Sequence, residues 1–240
     1  MKYMGSKSRI SKYIVPIIQK YIDENGIKTY IEPFVGGANV IDKVRCDTRI
    51  GVDNNEYLIA LYKSLQNGWN IRSVDMSKEL YQSVKDNKDC HPKQVVALAG
   101  LLATYNAKWF GGYAGTVVTK TGVVRNYYDE AVRNITKQVP LIKDVEFKRD
   151  TYSNLNPVNS VVYCDPPYFG TTEYKDKIDY DDYWNWVRKI STNNIVLCSE
   201  YNAPEDFECV WSMETTITLN HSDRSNATEK LFIRAKQSQQ

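Results

Sequence analysis

Apolar residues near the start of the chain recur at helical spacing. Ile10, Tyr13, Ile14, Ile17, Ile18 and Tyr21 share one face, which predicts an amphipathic helix over about 8–23, kinked near Pro16 because proline has no N–H to donate. The period then shortens. Runs rich in β-formers stand at 29–32 and 49–52, and again at about 145–149, 161–164 and 194–199. Helical patterns fall between them at 39–44, 55–66, 76–87, 92–105, 128–138 and 181–190, punctuated by Gly68 and Pro92. Residues 116–119 and 123–126 flank Lys120-Thr121-Gly122 and predict a β-hairpin. Segments 207–219 and 229–235 read as a terminal antiparallel pair, with a frayed tail beyond Lys236.

Strands alternating with helices predict an α/β fold: a Rossmann-like, mostly parallel sheet of seven strands. The alternation is broken once, by a helix-and-hairpin stretch. This predicts one body from 1–66 and 144–240, with 67–143 inserted as a second lobe. After the first strand comes Glu32-Pro33-Phe34-Val35-Gly36-Gly37, a turn whose glycines let a ligand approach the backbone. The second strand ends in Asp53-Asn54-Asn55, and an acid there is where such folds hold ribose hydroxyls. Gly5-Ser6-Lys7-Ser8 lacks the first glycine and the preceding strand of a phosphate loop, so that reading is excluded. An aromatic and a lysine on one turn, Tyr3 and Lys7, instead suit a clamp on a small charged ligand.

Composition narrows the classes. Hydrophobic residues make up 42% of 240, enough for a real core, and no apolar run approaches the ~18 residues of a membrane span. The amino terminus carries no apolar signal region, so a cytoplasmic protein is expected. The five cysteines are scattered singly and the histidines are His91 and His221 alone, which supports neither a disulfide frame nor a metal site. Net charge is only +2, but bases cluster at 1–20 and at 108–149, where Lys108, Lys120, Arg125 and Arg133 stand. Basic patches on a near-neutral chain fit a nucleic-acid binder that keeps carboxylates for chemistry.

That chemistry centres on Asp165-Pro166-Pro167-Tyr168, which follows the apolar run 161–164. Two prolines remove N–H donors and stiffen the turn, and Asp165 before a proline is pushed to extended backbone. The loop offers a carboxylate, carbonyls without local N–H competitors and an aromatic face. That set suits an amino group on a flat ring, with Asp165 and Pro166 accepting its hydrogens and Tyr168 stacking.

Tyr3-Met-Gly-Ser-Lys7, Glu32-Pro-Phe-Val-Gly-Gly37, Asp53-Asn-Asn55, the segment from Tyr105-Asn106 to Tyr128 and Asp165-Pro-Pro-Tyr168 together resemble the Dam-like DNA adenine methyltransferases of the alpha group, in motif order as well as content. The short length and the Trp109-Phe110-Gly-Gly-Tyr113 run are similar to phage-borne members. Tyr3 stands where many members carry tryptophan, and Ser6 replaces a glycine. The resemblance implies a class I methyltransferase fold with a target-recognition lobe, acting as a monomer on double-stranded DNA. It implies that Tyr3, Lys7, Phe34, Gly36, Gly37, Asp53 and Asn54 bind S-adenosyl-L-methionine, with Asp165 touching both cofactor and target amine. Tyr105, Asn106, Lys108, Lys120 and Arg125 would meet DNA, the hairpin entering the major groove. Methylation of RNA or of cytosine amines, and a non-catalytic module of the same fold, are the competing readings.

Overall fold

The computed structural model describes residues 1–167, 178–218 and 224–235, with backbone alone for 215–218 and 224–227. A short 3-10 turn, Lys7–Arg9, leads into α1, Ser11–Asn25, which carries Pro16 inside it and buries Ile14, Ile18 and Ile22. It ends on Gly26, whose φ of 60° is the left-handed conformation that closes helices. Strand β1 spans Thr29–Glu32.

The helix predicted over 39–44 does not form; the chain runs through turns there. Asn39 explains part of this, because its side-chain amide is drawn back to the Met1 carbonyl and the Ser6 hydroxyl, both at 2.7 Å. Strand β2, Thr48–Asp53, is followed by α2, Glu56–Gln66, whose Asn55 cap accepts the N–H groups of Tyr57 and Leu58. Ser77 caps α3, Lys78–Asp86.

The helix predicted over 92–105 is divided. Helix α4, Lys93–Ala97, passes into a π-helical turn at Leu98–Leu102. At Gly100 an added Cβ would lie 2.5 Å from the Trp109 ring, and the Gly100 carbonyl accepts the Phe110 N–H at 3.1 Å. Trp109 and Phe110 thus pack on the helix that precedes them. The hairpin forms from β3, Thr116–Val118, and β4, Val124–Asn126, with Val117 opposite Arg125. Then come α5, Tyr127–Gln138, β5, Val145–Arg149, β6, Ser160–Cys164, α6, Tyr180–Ile190, β7, Ile195–Glu200, β8, Phe207–Thr218, and β9, Arg224–Arg234.

Seven of these strands form one sheet in the order β5-β2-β1-β6-β7-β9-β8. The first five run parallel; β9 is antiparallel to both of its neighbours. The fold class is therefore α/β and Rossmann-like, as expected. Alternation along the central strands sorts side chains by face: Tyr30, Val161 and Tyr163 enter one core, Ile31, Val162 and Cys164 the other. Helix α6 covers the second face with Tyr183, Trp184, Trp186 and Val187. Segment 67–143 packs into the first core, where Met76, Tyr81, Leu98 and Ile135 join Ile14, Tyr30 and Leu58. Chain order runs outward in opposite directions from β1 and β6, which are neighbours. Ligands of open α/β sheets sit at the carboxyl ends of strands at such a reversal.

Candidate active site

Both diagnostic loops open at that reversal. β6 is buried along its whole length and delivers Asp165 at its carboxyl end. Asp165 Oδ1 lies 3.0 Å from Lys7 Nζ, and the same ammonium is 3.6 Å from Glu229 Oε2 on β9. Lys7 is only 7% exposed and the Asp165 side chain 19%. Burial pushes the Asp165 carboxyl up to about 6; Lys7 opposes the shift, and Glu229 and Glu200 add to it. The carbonyl of Pro167 accepts the Tyr180 hydroxyl. Tyr168, the expected stacking partner, lies outside the described residues.

At the end of β1, Glu32 is buried and accepts the Tyr30 hydroxyl at 2.7 Å; burial drives its carboxyl well above the usual carboxylate range. The turn that follows is pinned to β2. Val35 N–H donates to the Val52 carbonyl at 2.8 Å, and Gly36 N–H to Asp53 Oδ2 at 3.1 Å. Gly36 has φ 44°, and an added Cβ would sit 3.1 Å from the Tyr3 ring. At Gly37 a Cβ would meet Tyr3 Cβ at 2.8 Å. The glycines therefore make room for Tyr3, so the amino-terminal turn and the β1 turn form one wall. Phe34 faces the other way, into the second core, with its ring centroid 5.4 Å from Tyr152 and 6.1 Å from Tyr183.

Asp53 is held by two backbone donors, Gly36 on one oxygen and Asn55 on the other at 2.9 Å. Burial raises its pKa and these two hydrogen bonds pull against that. Each oxygen keeps a second lone pair, so the carboxylate can still accept a hydroxyl. Asn54 beside it is exposed. Asp150, to which sequence reasoning gave no role, ends the adjacent parallel strand and donates its N–H to the Asp53 carbonyl at 3.2 Å. An acid closing a third parallel strand was the available signal. Glu200 and Glu229 carried none, since each sits mid-sequence among ordinary strand residues.

The residues expected to meet DNA lie on 105–125, on elements other than the strand ends that carry Asp165 and Asp53. Tyr105 is 45% exposed, with its ring edge-on to Tyr127. Asn106 and Ala107 have successive left-handed φ values of 55° and 56°. Tyr105 and Asn106 line a cavity of about 110 Å³ together with Lys2, Leu101 and Tyr127. Lys108 and Lys120 are exposed. Arg125 is engaged: its Nε and terminal nitrogen reach the two oxygens of Glu130 at 2.8 and 2.5 Å, and its guanidinium sits 4.9 Å from the Tyr127 ring centre. Val118, Val123 and Val124 are the apolar side chains this hairpin exposes.

A family model described as D12 class N6 adenine-specific DNA methyltransferase matches residues 3–194. The chain is 28% identical to the type II methyltransferase M.MjaIII of Methanocaldococcus jannaschii, over 70% of this chain and 68% of that enzyme. It is 26% identical to the modification methylase StsI of Streptococcus sanguinis, over 82% of this chain but only 32% of that longer protein. Among solved structures, the rRNA methyltransferase aviRa of Streptomyces viridochromogenes superposes with a TM-score of 0.43 at 10% identity, covering 95% of this chain and 84% of that one. No helix among the described residues is long and apolar enough to cross a membrane.

Proposed function

The chain belongs to the D12 class of N6 adenine-specific DNA methyltransferases, and we propose that Asp165 and the Pro166 carbonyl receive the amino group of an adenine rotated out of the duplex. The observation that carries this reading is the placement of Asp165 and the Gly36–Asp53 turn side by side, at the carboxyl ends of the paired strands β1 and β6.

An adenine amino group is a poor nucleophile because its lone pair is delocalised into the ring, and stacking hides it inside the duplex. Extrusion costs a few kcal/mol. Hydrogen bonds from both N–H groups to the loop favour a tetrahedral nitrogen and expose the lone pair. Positive charge develops on that nitrogen as it reacts, and a carboxylate already desolvated beside it stabilises that charge without reorganisation. With a pKa near 6, Asp165 is also a better acceptor than an ordinary aspartate for the proton the nitrogen then sheds.

The residues present fit S-adenosyl-L-methionine. The Asp53 carboxylate keeps free lone pairs for ribose hydroxyls, Asn54 and the backbone of Phe34 to Gly37 border it, Tyr3 packs on Gly36 and Gly37, and Lys7 stands beside Asp165. When bound, the cofactor supplies an electrophilic methyl group on a sulfonium. Segment 67–143 serves as the recognition lobe for double-stranded DNA, with Tyr105, Asn106, Lys108, Lys120 and Arg125 as its contacts.

The test is transfer of labelled methyl from S-adenosyl-L-methionine to duplex DNA and, in parallel, to RNA, followed by digestion to nucleosides. Label in N6-methyladenine from DNA is the expected result. Label confined to RNA or to a cytosine product would overturn it.

A further inference from the structure

Gln138 ends α5, the helix that begins where hairpin strand β4 stops, and is only 4% exposed. The methyl-transfer chemistry gives it no task. Yet its amide nitrogen donates to the Ala38 carbonyl at 2.9 Å, to the Gly37 carbonyl at 3.2 Å and to Asp42 Oδ2 at 2.9 Å. Its oxygen accepts from the Met1 amino nitrogen at 2.5 Å. These partners fix which way the amide faces, because two carbonyls and a carboxylate can only accept.

The turn that Gln138 grips does not have the backbone its residues prefer. Ala38 is fully buried and has φ 53°, a left-handed conformation that strains a residue with a Cβ. In a helix running on from this turn, the carbonyls of residues 36, 37 and 38 would accept the N–H groups of 40, 41 and 42. Side chains from elsewhere occupy them instead. Tyr62 Oη donates to the Gly36 carbonyl at 2.6 Å, the Met1 amino group shares the Gly37 carbonyl at 3.2 Å, and Gln138 reaches both Gly37 and Ala38. Two amide hydrogens serve three acceptors, so the longest contact, to Gly37, is the weakest, and Ala38 and Asp42 take most of the hold. The Asp42 side chain is itself only 6% exposed, so little water is at hand to replace a lost donor.

We propose that Gln138 is a positioning residue for the cofactor turn: its amide N–H groups hold the Gly36-Gly37-Ala38 backbone open, so that the inserted lobe completes the S-adenosyl-L-methionine site of the other body. While the turn is held, Gly36 N–H stays on Asp53 and Gly37 stays against Tyr3. Without the donor, the chain is released toward the helix that the pattern over 39–44 favours, and both contacts are lost. Gln138 touches neither cofactor nor DNA. This role rests on the assignment of Phe34 to Gly37 and of Asp53 to the cofactor.

The experiment is calorimetry of the full chain with S-adenosyl-L-homocysteine, beside steady-state methyl transfer varying cofactor and DNA, with thermal melts to check folding. The variants are Gln138→Glu, Gln138→Leu, Ala38→Gly, Ala38→Gly combined with each Gln138 change, and Asp53→Ala. Gln138→Glu keeps an oxygen for Met1 and loses the donor; Gln138→Leu loses both. Each should weaken S-adenosyl-L-homocysteine about tenfold and raise the cofactor KM by a similar factor, with the DNA KM and kcat within about twofold. Glycine adopts a φ near 53° without strain, so adding Ala38→Gly should restore most of the lost affinity, whereas a fold that had merely loosened would gain nothing from it. If Gln138→Leu fails to fold, Gln138→Glu with and without Ala38→Gly gives the same reading. Wild-type affinity in Gln138→Glu, a fall in kcat with the cofactor KM unchanged, or double variants no tighter than the single ones overturns the role. Weakened binding in Asp53→Ala but not in Gln138→Glu brings down this role alone. Unchanged affinity in Asp53→Ala brings down the cofactor assignment and this role with it.

Discussion

Two ion pairs in this molecule have similar chemistry and opposite electrostatics. Lys7 and Asp165 meet at 3.0 Å where the parallel strands end; Arg125 and Glu130 meet at 2.5 Å at the base of the hairpin. Pairing with a cation lowers the pKa of Glu130 and raises that of Arg125. Asp165 has its cation as well, yet its pKa rises to about 6, because burial costs the carboxylate more than Lys7 returns. The first pair is a desolvated charge, and on the proposed role that charge serves the reacting amine. The second is 44% and 30% exposed, screened by salt, and exchanged at little cost. Substitutions at the first should therefore change rate, and those at the second should change affinity for DNA.

The largest expected effect is at Asp165. Asp165→Ala should lower turnover by well over tenfold, more than about 1.4 kcal/mol in barrier, with DNA binding retained. Turnover above about a tenth of wild type, in the labelled-methyl assay, contradicts the role. The pH dependence has a definite sign. On the proposed role activity needs the carboxylate, so kcat should fall as pH drops through about 6. Stability runs the other way. The folded-state pKa lies above the unfolded one, so the protonated form favours folding; that contribution is complete below about 4 and lost as pH rises through about 6. Asp165→Asn should raise Tm at pH 7.5 and leave it unchanged near pH 4. A lower Tm at pH 7.5 would mean that the Lys7 pair outweighs burial after all.

Much of this site could be read from sequence because its parts are local. An apolar strand followed by Asp-Pro-Pro needs no partner to be recognised, and Gly36-Gly37 before Asp53 follows from the spacing of strand and turn. The fold class came from the same alternation. What sequence did not carry is long-range. Lys7 and Asp165 are separated by most of the chain, and their contact exists because the 3-10 turn before α1 brings Lys7, and β9 brings Glu229, to the end of β6. Glu200 is an unremarkable residue until Tyr180 is placed against it. The failed helix at 39–44 has a similar cause: Asn39 is tied to Met1 and Ser6, which no window around it contains. The π-turn at Leu98–Leu102 depends on Trp109 and Phe110 settling over Gly100.

A smaller effect is expected at Asp53, where burial is present but no cation among the described residues is paired with it. Asp53→Ala should weaken cofactor binding about tenfold, the scale of a lost charge-assisted hydrogen bond, as measured by calorimetry without DNA. It should also lower Tm, since Gly36 and Asn55 lose their acceptor. Asp53→Asn keeps an acceptor for one of them and should recover part of the stability but not the affinity. Unchanged affinity in Asp53→Ala would remove the ribose assignment while leaving Asp165 untouched.

The smallest and most informative effect is at the hairpin, where the exposed pair can be broken deliberately. Lys120 stands at the turn beside Gly122, and Lys120→Ala should reduce DNA affinity without changing cofactor binding. A phosphate contact lowers the salt slope by about one for every sequence alike, whereas a bidentate guanine contact costs ~1–3 kcal/mol on the preferred site only. Arg125 is less simple, because in the free protein its fork already grips both oxygens of Glu130. To reach DNA it must leave them, and Arg125→Ala leaves an unpaired carboxylate close to the phosphates. Arg125→Ala should therefore weaken binding by more than the lost contact, and the double variant Arg125→Ala/Glu130→Ala should recover the difference. Titrations at several salt concentrations, on target and scrambled duplexes, separate the two parts: the recovered part should shrink as salt rises, and any sequence-specific part should not. If none of these variants alters affinity, salt slope or preference, the hairpin is a surface feature and the target is read elsewhere in 67–143.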